Sequence, residues 1–123
     1  MTDNRVRKTF KSVNSKHIVN DINLFVEEAL REFGIQWDSE AQRTSFVEIL
    51  EDFLYDTAEQ EGKIVAFKVM CDRRNNKASD NERGIYQLDI HFNQKNCLNT
   101  TQLIYTIDTN VKVDDDFGID YVI

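Results

Sequence analysis

The stretch 63-KIVAFKVMCDRRNNKASDNERGIYQLDIHF-92 decides the fold class. Lys63 to Cys71 alternates with a period of two, which predicts a strand. Val65, Phe67, Val69 and Cys71 fall on one face; Ile64, Ala66 and Met70 share the other with Lys68, so this strand can be covered on both sides. Asp72 to Arg83 is uniformly polar and reads as a loop. From Gly84 to Phe92 the period of two returns. Tyr86, Leu88, Ile90 and Phe92 point one way; Ile85, Gln87, Asp89 and His91 point the other, the pattern of a sheet with one buried face.

Upstream the period is that of a helix. Ser15 to Phe33 carries Ile18, Ile22, Phe25, Val26, Ala29, Leu30 and Phe33 at three-and-four spacing, and Gly34 supplies a stop. Asp21, Glu27, Glu28 and Arg31 fall mostly away from that stripe. Ile35 and Trp37 form a short connection. Asp38 or Ser39 is the N-cap of a second helix, Glu40 to Gln60, with Phe46, Ile49, Leu50, Phe53 and Leu54 on its apolar face, and Ser39 has Gln42 at capping-box spacing. Gly62 ends it. Downstream, Asn93 to Asn99 connects to a third strand, Thr101 to Asp108, carrying Leu103, Tyr105 and Ile107. The expected architecture is α+β: two helices packed on one face of a small, mostly antiparallel sheet.

Both ends read as extended arms. The expected division is an N-terminal arm over 1–14, a core over 15–108 and a C-terminal arm over 109–123. Residues 1–17 hold Arg5, Arg7, Lys8, Lys11 and Lys16 against Asp3 alone. Residues 108–123 hold five aspartates against Lys112, and close on the apolar tip Tyr121, Val122 and Ile123. A basic head and an acidic tail can attract each other within or between chains; two solvated termini are the plainer reading. A three-stranded sheet has two open edges, and extended arms are natural donors to them.

Composition narrows the function. The chain has 123 residues and 41% hydrophobic content, enough for one domain with one core. A net charge of −7 speaks against phosphate-backbone binding and against docking on anionic lipid. No apolar run approaches the ~20 residues of a membrane span, and residues 1–16 lack a signal peptide's apolar centre. Cys71 and Cys97 fit reduced thiols in a cytoplasm. There is no proline, so nothing bars extended segments from pairing as strands.

One family resemblance emerges from ordered motifs. AFKVMCDRRNN (Ala66 to Asn76) resembles a strand and loop of contractile tail sheath proteins, in which an apolar strand runs into Cys-Asp, two residues, then Asn. WDSEAQRTSFVEILEDFL (Trp37 to Leu54) and, before it, INLFVEEALREFG are similar to that family's preceding helices. YQLDIHFNQKNCLNTTQLIYTI (Tyr86 to Ile107) is similar to its last two strands. The resemblance covers roughly residues 18–108, in order, and is to the C-terminal (inner) domain of the sheath protein. The family's usual proline between the last strands is absent here. So is the Glu-Pro-Arg type turn of the related sheath initiators.

The resemblance implies a non-enzymatic virion protein of a bacteriophage contractile tail or related injection machine, assembled in the host cytoplasm without a cofactor. Its partners would be sheath, baseplate or tube subunits, in a six-fold ring. It implies a sheath initiator-like role in which arms pass between subunits as added strands. The arm residues expected to meet partners are Arg5, Arg7, Lys8, Phe10, Val111, Val113, Phe117, Tyr121, Val122 and Ile123. A tail terminator or collar component, or a freestanding acidic adaptor that binds a host protein, are the alternatives.

Other chemistry has weaker grounds. His17, Cys71, His91 and Cys97 match no common zinc spacing. Asp114 to Asp116 lack the glycine and distal glutamate of a calcium loop. Glu27, Glu28, Glu48 and Glu51 read as wet helix positions rather than an acid–base pair. Arg73 and Arg74 fit either ordinary loop charge or a contact with an acidic partner.

Overall fold

A computed structural model describes residues 4–58, 62–112 and 117–122, with side chains for 5–58 and 62–110. The order is β1 (Asn4–Lys11), α1 (Lys16–Glu32), α2 (Glu40–Asp56), β2 (Ile64–Met70), α3 (Ala78–Glu82), β3 (Ile85–Gln94), β4 (Thr100–Lys112) and β5 (Phe117–Val122). The fold is α+β, and the strands lie in the order β2-β3-β4-β1-β5. The β2–β3, β3–β4 and β4–β1 pairs are antiparallel; β5 runs parallel to β1.

The inner face follows from alternation. Val6 and Phe10 of β1, Tyr86, Leu88, Ile90 and Phe92 of β3, and Leu103, Tyr105 and Ile107 of β4 are all buried. Against them the helices set Val19, Ile22, Val26 and Ala29 from α1 and Phe46, Leu50 and Leu54 from α2. The opposite face of the sheet carries Arg5, Arg7 and Lys11, all exposed, beside half-buried Gln87, His91, Gln102 and Thr106. An antiparallel sheet covered on one side gives this division.

The helix starts rest on local hydrogen bonds. Ser15 Oγ accepts from Ile18 N at 3.4 Å, and Ser39 Oγ from Gln42 N at 3.3 Å. The Gln42 side chain does not close the box on Ser39. Its Oε1 accepts from Gln36 N at 2.7 Å, which ties down the connection instead. That connection is part of the core. Trp37 is buried, edge-on to Phe46 at 5.7 Å and tilted against Tyr86 at 6.1 Å. Arg43 donates to the Trp37 carbonyl and lies 5.5 Å over the Tyr86 ring.

Several expectations need correction. The buried seam of α1 includes Val19 and Asn23, while Phe33, the C-cap beyond its last turn, is half exposed. The single-face reading of the first strand fails at Val65. A register shift between Ile64 and Ala66 breaks the alternation, so Ile64 and Val69 are both buried and Val65 is 64% exposed. The loop 72–83 contains the short helix α3. β4 continues to Lys112, four residues past the expected end, because β1 lies alongside it.

The largest correction concerns the N-terminal segment. It is extended, yet it is no arm outside the core: Val6, Lys8 and Phe10 are buried in the sheet's inner face, and β1 pairs on both sides. The alternation Val6-x-Lys8-x-Phe10 presents two apolar residues to the core, and Phe10 meets Tyr105 edge-on at 5.9 Å. Phe10 and Lys8 are therefore not surface contacts in this form of the chain.

Candidate functional site

The site expected from the sequence is the pair of terminal segments. Backbone pairing brings them together: Val6 lies opposite Phe117, Phe10 opposite Tyr121 and Lys11 opposite Val122. Val111 falls in β4. Val113 and Ile123 lie outside the described residues. Arg5 and Arg7 project from the uncovered face, whereas Lys8 and Phe10 point inward. The eight described residues thus fall on three strands, and the four whose side chains are described divide between two faces.

Where Lys8 points is the main surprise. Its ammonium is fully buried and donates to Glu27 Oε1, the acceptor also of Asn23 Nδ2 at 3.2 Å. The buried Tyr105 hydroxyl donates in turn to Asn23 Oδ1 at 2.9 Å. A chain of side chains so connects β1, α1 and β4. Burial, and then the nearby Glu27 carboxylate, push the Tyr105 phenol well above its usual range. Nothing in the sequence marks Lys8 as buried, since a lysine between an arginine and a threonine reads as solvated. The one available signal was its place midway between Val6 and Phe10.

The CDRRNN segment is a knotted turn. Asp72 Oδ1 accepts from Arg74 N at 2.9 Å, and its carboxylate takes both Arg74 Nε and Nη2, the latter at 2.8 Å. Asn75 Nδ2 donates to the carbonyls of Met70 and Gln87. Asn76 Nδ2 donates to Gln87 O at 2.9 Å, and Asn76 Oδ1 accepts from Gln87 N at 2.7 Å. These bonds join the end of β2 to the start of β3, so the motif holds a loop shape. Arg74 is turned onto Asp72, which leaves Arg73 as the loop's outward cation among the two. The Arg74 guanidinium holds the Asp72 carboxyl below the usual carboxylate range, chiefly through its side-chain hydrogen bond. The Asp72→Asn chain should therefore melt below wild type at neutral pH. The stabilisation is present above an ordinary aspartate's pKa of about 4 and fades as pH falls through the lower folded value, so melting curves against pH should converge there.

The two cysteines differ. Cys71 is buried at the end of β2, and its thiol is pushed up to about 12, mainly by burial, with Asp72 and Asp89 adding and Arg43 opposing. Cys97 is half exposed. At pH 8 iodoacetamide should label Cys97 and spare Cys71 in the folded chain, as read by peptide mass spectrometry; denaturant should make the two equal. Among the described residues no group of three or more His, Cys, Asp or Glu could hold a metal ion.

Two further surfaces border the sheet. Among the described residues β2 has β3 as its one strand neighbour, and Val65 and Lys68 on it are exposed. A cleft of about 970 Å³ opens between the 34–38 corner and the 81–84 turn, lined by Trp37, Tyr86, Ile107 and Arg83 among the described residues. No helix among the described residues is long and apolar enough to cross a membrane. No family model matches the chain, nor does any curated protein or solved structure.

Proposed function

We propose that the chain is a structural subunit of a contractile phage tail or related injection machine, similar to the sheath inner domain, that couples sheath or baseplate subunits by exchanging terminal strands. The resemblance of the ordered motifs carries this reading, and the position of β1 gives it a route. A terminal strand, joined to the rest by one short connection, sits between β4 and β5 and pairs with both. Such a strand is held by backbone bonds that an equivalent strand from a neighbour reproduces one for one. The ordered motifs run from Ile22 to Ile107, and the CDRRNN turn has the loop-holding role that a recurring structural motif needs. In this reading the closed single chain is the form before assembly, and work is done by rearranging strands rather than by catalysis.

A second reading has its own support. The sheet takes up its own β1, as a freestanding acidic adaptor would require. Labelling separates the two. In contractile particles purified from the cell that makes this chain, antibody-gold or a genetically encoded tag should mark the tail at a fixed level, in ring-like copy number. Absence from particles, with the protein recovered on one host partner, establishes the adaptor.

A further inference from the structure

The face of the sheet turned away from the helices is basic in a chain whose net charge is −7. Strand register lays its polar side chains out in rows. Lys68 of β2, His91 of β3, Gln102 of β4 and Lys11 of β1 are successive cross-strand neighbours. Gln87, Thr106 and Arg7 form a second row, and Arg5 follows at the end of β1. Arg5 and Lys11 stand about 20 Å apart along β1, and Lys68 about 14 Å from Lys11 across the strands.

The exposed charge on this face is of one sign among the described side chains. Arg5, Arg7, Lys11 and Lys68 are exposed, and none has an ion pair with another described residue. Cations elsewhere are turned onto partners, Arg74 on Asp72 and Arg83 on Asp80. The anions that share the face are withdrawn. Asp89 is 6% exposed and accepts from Gln87 Nε2 at 3.1 Å; Asp108 is half-buried and accepts from Asn110 N at 2.9 Å. β5 adds Asp120 at the register position opposite Thr9, one acid beside three cations. The exposed acids of α2, Glu40, Glu48, Asp52 and Asp56, belong to the other layer.

Such a surface attracts a compact anionic one. A nucleic acid fits poorly. No Phe, Tyr or Trp lies at an outward position of β1 to β4 for bases to stack on, and a long polyanion overruns the face to meet the acidic helices. A helix fits better. It is about 10 Å across, and carboxylates four residues apart lie about 6 Å apart, near the spacing of Arg5 and Arg7.

We infer that the open face of the sheet docks an acidic helix of a partner protein, held by Arg5, Arg7, Lys11 and Lys68. This goes beyond the strand-exchange reading and does not depend on it, since β1 stays in place.

The test titrates the full-length chain against a fluorescein-labelled, alanine-rich helix of about 20 residues with glutamate at every fourth position, read by anisotropy at about 50 mM salt. Binding should weaken as salt rises, and the same helix with lysine should not bind. The variant Arg5→Gln/Arg7→Gln/Lys11→Gln should bind roughly tenfold more weakly, and Lys68→Gln about threefold. The variant Lys16→Gln/Lys77→Gln/Lys95→Gln makes the same change in net charge away from the face and should bind within about twofold of wild type. Thermal melts check that each variant is folded; if the β1 triple variant is not, Arg7→Gln takes its place, with about threefold weakening expected. No binding by wild type overturns the inference, as does equal weakening by the two triple variants. Tighter binding of an oligothymidine of equal charge assigns the face to nucleic acid. Self-association of the wild-type chain that the β1 variant abolishes assigns it to a second copy. Either result also overturns the inference.

Discussion

A chain lacking residues 1–12 is expected to lose its cooperative fold. The deletion takes Val6 and Phe10 out of the core and strips the ladder from the inner edge of β4. Burial of those two side chains contributes roughly 3–6 kcal/mol at about 1.5–3 kcal/mol each. β5 loses its strand neighbour, and Glu27 loses its buried cation. A domain of this size has a total stability of about 5–15 kcal/mol, so little remains. Near-UV circular dichroism should flatten and the thermal transition should broaden or vanish. A truncated chain that melts sharply at the wild-type temperature would mean that β1 contributes nothing to the fold in solution, and the segment would then be an arm after all. The sequence alone suggested that outcome, since it placed residues 1–14 outside the core.

Replacing Trp37 by alanine should cost about 3–5 kcal/mol. The indole stands at the corner where the helix pair meets the sheet, against Phe46 of α2 and Tyr86 of β3. Its removal empties space between two layers and loosens Arg43, which holds the Trp37 carbonyl and covers Tyr86. With about 4 °C per kcal/mol for a domain near this length, the midpoint should fall by roughly 12–20 °C. Trp37→Phe should recover part of the loss, because a smaller ring still fills some of the corner. A drop of under about 3 °C for the alanine variant would show that the corner is not a packing centre. The 970 Å³ cleft shares Trp37 and Tyr86 in its lining, so the same variant should reshape that surface.

The two predictions differ in what makes them visible. Trp37 is a large apolar side chain in a connection only a few residues long, and burying it is the ordinary outcome. β1 is different, because its alternation is diluted by four cations in eight residues. Read by charge it is a solvated arm. Read by alternation it is Val6-x-Lys8-x-Phe10, and Glu27 of α1 supplies a counter-charge to the middle position.

The same division holds for the function. The motifs that resemble the tail sheath family lie in α1, α2, β2, β3 and β4, where periodicity and short-range hydrogen bonds are strongest. The terminal strands, on which the proposed coupling role depends, are where local patterns are weakest. The proposal requires this, since the stability of a strand that changed partners would come from the surface it meets and not from its own sequence.

By itself the sequence determined the two helices, the strands β2, β3 and β4, and the α+β class. Each is encoded by a repeat of 2 or about 3.6 residues, which any observer can count along the chain. Only the tertiary structure decided that β1 and β5 complete the sheet, that a register shift turns Val65 outward, and that Lys8 is buried on Glu27. The physical reason is separation: Lys8 and Glu27 are nineteen positions apart, and the free energy of a buried charge is set by the group across from it, which no local window contains.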